Sequence, residues 1–125
     1  MNTEKLFSYG TLRYDAVQLS NFGRKLHGTA DVLPGFGMSK IKIKDVDVIA
    51  TSGEEEHPII TYTGKFTDSI EGMVFDVSIE ELKKADSYEV EDYKRVKVKL
   101  ASGVFAWVYV HAESVEIIEG SLSLN

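Results

Sequence analysis

Alternation of apolar and polar positions is the dominant pattern along the chain. Lys40 to Lys44 alternates strictly inside the segment Met38 to Lys44, which predicts a strand with its lysines on a wet face. Further β-rich runs occupy Lys5 to Ser8, Val46 to Thr51, Ile59 to Thr63 and Ile70 to Val77. Gly72 lies inside the last of these, where a glycine means a bulge or a close backbone approach. Tyr93 to Leu100 and Val104 to His111 are separated by Ala101-Ser102-Gly103, a loop of hairpin length ending in glycine. In the second arm Val104, Ala106, Val108 and Val110 share one face, and Phe105, Trp107, Tyr109 and His111 the other. Neither face is properly polar, so the arm reads as a central strand covered on both sides.

Two stretches break the alternation with helical spacing. Asp15 reads as the N-cap of a helix over Ala16 to Leu26, with Val17, Leu19, Phe22 and Leu26 turned inward. Ser78 and Glu81 have the spacing of a capping box and predict a helix from Ile79 to about Tyr88. The Gly35-Phe36-Gly37 break and the Gly53 to Pro58 loop are surface connections. Many strands and few helices give an α+β fold, a small mixed sheet curled toward a barrel and flanked by helices.

Composition narrows the chemistry. The 125 residues suit one domain, 1–125, and the 43% hydrophobic content is ample for one core. A net charge of -6 speaks against a nucleic-acid partner, which needs concentrated positive surface. With no cysteine, thiolate nucleophiles and Cys-based metal sites are excluded. His27, His57 and His111 lie far apart and form no spaced ligand pair, so no metal is expected. No signal-peptide pattern and no apolar run of about 18 residues occurs, which leaves a soluble, cytoplasmic setting without membrane contact as the expectation. Residues 120–125 are expected to fray.

Three features carry candidate chemistry. From Ile79 the apolar positions Leu82 and Ala85 continue by helical steps to Glu89. At the inward end of the helix its carboxylate would be partly desolvated and raised toward a general base; if the helix stops by Tyr88 it is simply solvated. Tyr9-Gly10-Thr11-Leu12 follows a strand. Its glycine permits a sharp turn whose amides converge on a carboxylate or an oxyanion, or it is a plain turn. Tyr93 and Arg95 share a strand face, and either bind a substrate carboxylate or form a structural pair. Asp86 reads as structural, a loop cap or the partner of a base.

Taken in order, Tyr9-Gly10-Thr11-Leu12, then Gly72-Met73-Val74-Phe75-Asp76-Val77, Asp86-Ser87-Tyr88-Glu89 and Tyr93-Lys94-Arg95 resemble the γ-glutamylcyclotransferase-like family over roughly residues 5 to 111. The branch most similar contains γ-glutamylamine cyclotransferases and their bacterial and plant relatives. The resemblance implies a mixed, six-stranded, barrel-like fold enclosing a cavity. It places Glu89 as the catalytic acid/base, Tyr9, Gly10, Thr11 and Leu12 as the substrate-binding turn, and Tyr93 near the cavity. It also implies a small γ-glutamyl substrate, released as 5-oxoproline and a free amine, amino acid or peptide, with no cofactor. Two positions depart from the family pattern: Val90 stands where a glycine is frequent, and Ala85 where leucine is usual. With the acidic Glu91 and Asp92 beside them, these departures motivate an alternative, a non-catalytic binding module of the same fold.

Overall fold

A computed structural model describes residues 3–42, 56–65, 67–88 and 92–112. Seven strands and two α-helices follow in order: β1 (Thr3–Ser8), α1 (Asp15–Phe22), β2 (Gly28–Pro34), β3 (Phe36–Lys42), β4 (Glu56–Tyr62), β5 (Ser69–Ser78), α2 (Ile79–Tyr88), β6 (Tyr93–Lys99) and β7 (Phe105–His111). Five strands form one sheet in the order β2-β5-β1-β7-β6, and β3 pairs with β4 in a second. Every pairing is antiparallel except β1 with β7. The α+β class and the mainly antiparallel mixed sheet agree with expectation. The described strands number seven, close to the six expected, and they form two open sheets that are barrel-like only in a loose sense. No helix among the described residues is long and apolar enough to cross a membrane.

The period of two along β1 decides where the core lies. Leu6 and Phe7 are both fully buried but point to opposite faces. Leu6 joins a cluster with Val17 and Phe22 of α1 and Leu82 and Ala85 of α2. Phe7 joins a second with Phe36 of β3 and Ile60 of β4. Helices thus cover one face of the large sheet and the small sheet covers the other, with β4 also packing against β7.

The hairpin forms as predicted: the Leu100 amide donates to Val104 O at 2.8 Å, leaving Ala101-Ser102-Gly103 as the loop. β7 is central and largely covered, yet Phe105 at its start is 58% exposed, so the second face is uncovered at that end. The capping box also forms. The Ser78 amide donates to Glu81 Oε1 at 2.9 Å, and the Glu81 amide to Ser78 Oγ at 3.0 Å.

α1 departs from expectation in three ways. Asp15 is its first residue rather than its cap; Tyr14 stands at the cap and accepts the Gln18 amide with its carbonyl. The helix ends at Phe22 because Gly23 takes the left-handed conformation, φ 71°, and its amide returns to Leu19 O. Leu19 is 48% exposed while Gln18 is buried. The polar side chain is inside because both its ends are bonded: Nε2 donates to Leu12 O at 2.9 Å and Oε1 accepts the Leu26 amide at 2.8 Å. β2 was not foreseen at all, and Gly35 with the strand at Phe36 replaces a longer break. Val46–Thr51, residues 53–55 of the acidic loop and residues 120–125 lie outside the described residues, while Glu56, His57 and Pro58, expected in that loop, belong to β4 because they pair with β3.

Candidate functional site

The end of β1 is set down directly on β5. A Cβ at Gly72 would stand 2.5 Å from the Ser8 carbonyl oxygen and 2.7 Å from Phe7 Cζ, so the close backbone approach, not a bulge, explains this glycine. Past Ser8 the chain leaves the sheet through Tyr9 and Gly10 into a one-turn 3-10 helix, Thr11–Arg13. Gly10 has φ -125°, which any residue adopts, so the sharp turn does not depend on glycine's extra freedom. An added Cβ would come 3.4 Å from Pro58 Cγ on β4, at the edge of ordinary contact, so space does not demand glycine here either.

Five hydrogen bonds hold this turn in place. Tyr9 OH donates to the Tyr109 carbonyl of β7 at 2.5 Å. Thr11 Oγ1 and Tyr88 OH, at the last residue of α2, are 2.8 Å apart and hydrogen-bonded. Leu12 O accepts from the buried Gln18, and Gly10 O accepts both the Arg13 amide and Arg13 Nε at 3.1 Å. The first amides of a helix have no carbonyl behind them to accept their protons, so the Thr11 and Leu12 N–H groups begin this segment as potential donors.

Opposite the turn stands Tyr93, whose hydroxyl donates to the Pro58 carbonyl at 2.6 Å. Tyr109 forms the remaining wall. Together the Phe7–Leu12 segment, Pro58, Tyr93 and Tyr109 line an open pocket with about 320 Å³ of empty space, mouth included. Most of that space is open to solvent: the cavity proper is about 20 Å³, room for little more than one water and well below a typical small-molecule site. None of these lining residues is charged, so the pocket offers amides, hydroxyls and aromatic faces for recognition.

The structure therefore brings Tyr9, Gly10, Thr11, Leu12 and Tyr93 around one cavity. It does not bring Arg95 there. Arg95 grips Asp86 with Nε at 2.8 Å and Nη2 at 3.0 Å, and its guanidinium lies 4.4 Å over the Trp107 ring. Asp86 accepts Tyr109 OH as well, at 2.7 Å. Of the alternatives for Tyr93 and Arg95, the arginine takes the structural one and pairs with the aspartate already expected to be structural. Glu89, with Val90 and Glu91, lies outside the described residues; α2 spans Ile79–Tyr88. Sequence reasoning missed Tyr109, Pro58 and Gln18. Gln18 left a trace as a polar residue between the apolar positions of its helix, and Tyr109 as one member of an apolar strand face.

Among solved structures, the solution structure of At3g28950.1 from Arabidopsis thaliana is similar with a TM-score of 0.67 at 24% identity, over 91% of this chain and 65% of that one. A structure described as a gamma-glutamyl cyclotransferase is similar with a TM-score of 0.67 at 16% identity, over 89% of this chain and 68% of that one. The human protein loc79017 follows with a TM-score of 0.65 at 17% identity, over 90% and 68% of the two chains. At these identities the likeness concerns the fold. The chain spans about two thirds of the length of these structures. No curated protein is similar enough to count as a match. The model of the family described as "Gamma-glutamyl cyclotransferase, AIG2-like" matches residues 6–122. That stretch runs from β1 past β7 and takes in the whole pocket lining, and the chain belongs to this family.

Proposed function

We propose that the chain converts a γ-glutamyl amine, amino acid or peptide to 5-oxoproline and a free amine. Family membership supports a cyclotransferase-type function in general terms. The observation that carries the finer reading is the pocket that joins the Tyr9–Leu12 turn to Tyr93, with the end of α2 bonded to that turn through Tyr88. In the proposed reaction the substrate's α-amino nitrogen attacks its own γ-carbonyl carbon. A new C–N bond closes the five-membered ring, and the original γ-amide C–N bond breaks. Glu89 takes the proton from the attacking nitrogen and returns it to the departing one. The Tyr9–Leu12 amides hold the substrate carboxylate or the oxyanion. Nucleophile and electrophile belong to one molecule, so the site's main task is to enforce a folded conformation. Aromatic walls from Tyr93 and Tyr109 suit that task.

The test is an assay for 5-oxoproline with a panel of γ-glutamyl amines, amino acids and peptides. Glu89→Gln is expected to lower the rate by about 10²–10⁴-fold while the circular dichroism spectrum is kept. An unchanged rate in that variant overturns the role of Glu89. Saturable binding of a panel member, with no product over hours, would instead favour the non-catalytic binding module.

A further inference from the structure

We infer that Tyr88 is a positioning residue for the substrate-binding turn, acting through Thr11; the inference rests on the cyclotransferase reading of that turn. Thr11 and Tyr88 are both buried and 77 residues apart in sequence, yet their hydroxyls meet at 2.8 Å. Thr11 lines the pocket and Tyr88 is not among the residues that line it. The tyrosine thus stands behind the threonine and acts on the ligand by fixing where Thr11 and its neighbours stand.

The reference point from which Tyr88 acts is itself held fixed. Two residues earlier on α2, Asp86 accepts two hydrogen bonds from Arg95 and one from Tyr109. The carbonyl of Tyr109 in turn accepts Tyr9 OH at 2.5 Å. A closed path therefore runs from Tyr9 through Tyr109, Asp86 and the last turn of α2 to Tyr88, and back to the turn at Thr11. The start of the four-residue turn at Tyr9 and its middle at Thr11 are both referred to the same helix end. Without the Tyr88 hydroxyl, Thr11 loses its link to that path while Tyr9 keeps its own, so the middle of the turn is freed to move relative to its start.

Tyr88→Phe deletes the hydroxyl and keeps the ring in the core. It is expected to raise KM for a γ-glutamyl substrate about tenfold with a smaller change in kcat. A role in stability alone lowers the active fraction, which reduces apparent kcat and leaves KM unchanged; that outcome overturns the inference. Thr11→Val should give a similar KM, and the double variant should be no worse than the poorer single one, whereas additive losses would count against a shared bond. Amide hydrogen exchange gives a readout that needs no turnover. The Arg13 and Tyr14 amides, which bond to Gly10 O and Thr11 O, should exchange about tenfold faster in Tyr88→Phe while those of β1 and β5 hold their rates. Unchanged exchange at Arg13 and Tyr14 overturns the inference. If the wild-type chain makes no 5-oxoproline, the cyclotransferase reading falls and the exchange data still decide whether Tyr88 positions the turn.

Discussion

A single methyl group at position 72 tests how tightly the site is built into the sheet. The obstacle to a Cβ there is the Ser8 carbonyl oxygen at 2.5 Å, a backbone atom that cannot swing aside. Gly72→Ala is therefore expected to cost about 1–3 kcal/mol, read as a lowered urea midpoint. A midpoint equal to the wild type would show that β1 and β5 can separate without cost. The sequence limited this glycine to a bulge or a close approach, because both leave the same gap in an alternating run. The fate of Arg95 was less legible. Its partner Asp86 is close in sequence, but one lies on a helix and the other on a strand, and no periodicity spans that junction. Tyr109 was visible as one residue of an apolar face, and nothing local announced that its carbonyl would anchor Tyr9.

Among the elements, α2 was the most legible because its start is a local device. Ser78 and Glu81 exchange hydrogen bonds across three residues, and their identities suffice to predict it. What the spacing does not disclose is the second duty of Glu81, which also receives Arg24 at 2.7 and 2.8 Å from the segment after α1. Hydrogen bonds from Arg24, with those from Ser78, hold the Glu81 carboxyl below the usual carboxylate range against the opposing effect of burial. A carboxyl depressed in the folded state adds stability above its unfolded pKa, and the contribution is lost as pH falls through the folded value. Glu81→Gln should thus cost about 1 kcal/mol at pH 7, Arg24 being half exposed, and the gap from wild type should close in acid. A gap that stays constant between pH 7 and pH 2 would refute the charge-based part. β2 was illegible for the opposite reason. In Gly28–Pro34 only Leu33 is buried, so the segment has no alternation to read, and its strand character comes from pairing with β5.

The class and most of the strands of the whole molecule could be read from turn signals and alternation, but their order in the sheets could not, since register and neighbours depend on contacts between distant segments. The same holds for the pocket. Its turn was visible as a motif, whereas Pro58 enters only because β4 packs against β7. Tyr93 OH to Pro58 O is a direct bond between the two sheets. Tyr93→Phe should lower stability by about 1 kcal/mol and weaken ligand binding, since it loosens the wall that faces the turn. Thermal unfolding and a ligand titration measure the two effects, and a variant unchanged in both would remove Tyr93 from any part in the site.

The parallel pairing of β1 with β7 has a consequence for how the molecule comes into being. During synthesis β1 emerges first, and its neighbour in the middle of the sheet emerges after some hundred further residues. Such a non-local pairing is slow to form and leaves early segments waiting with an unpaired edge. The pocket follows the same order: its turn is made well before the strands that carry Tyr93 and Tyr109. A nascent chain halted before β6 would hold the turn without its opposite wall, and ligand binding should arise only once β6 and β7 have both left the ribosome.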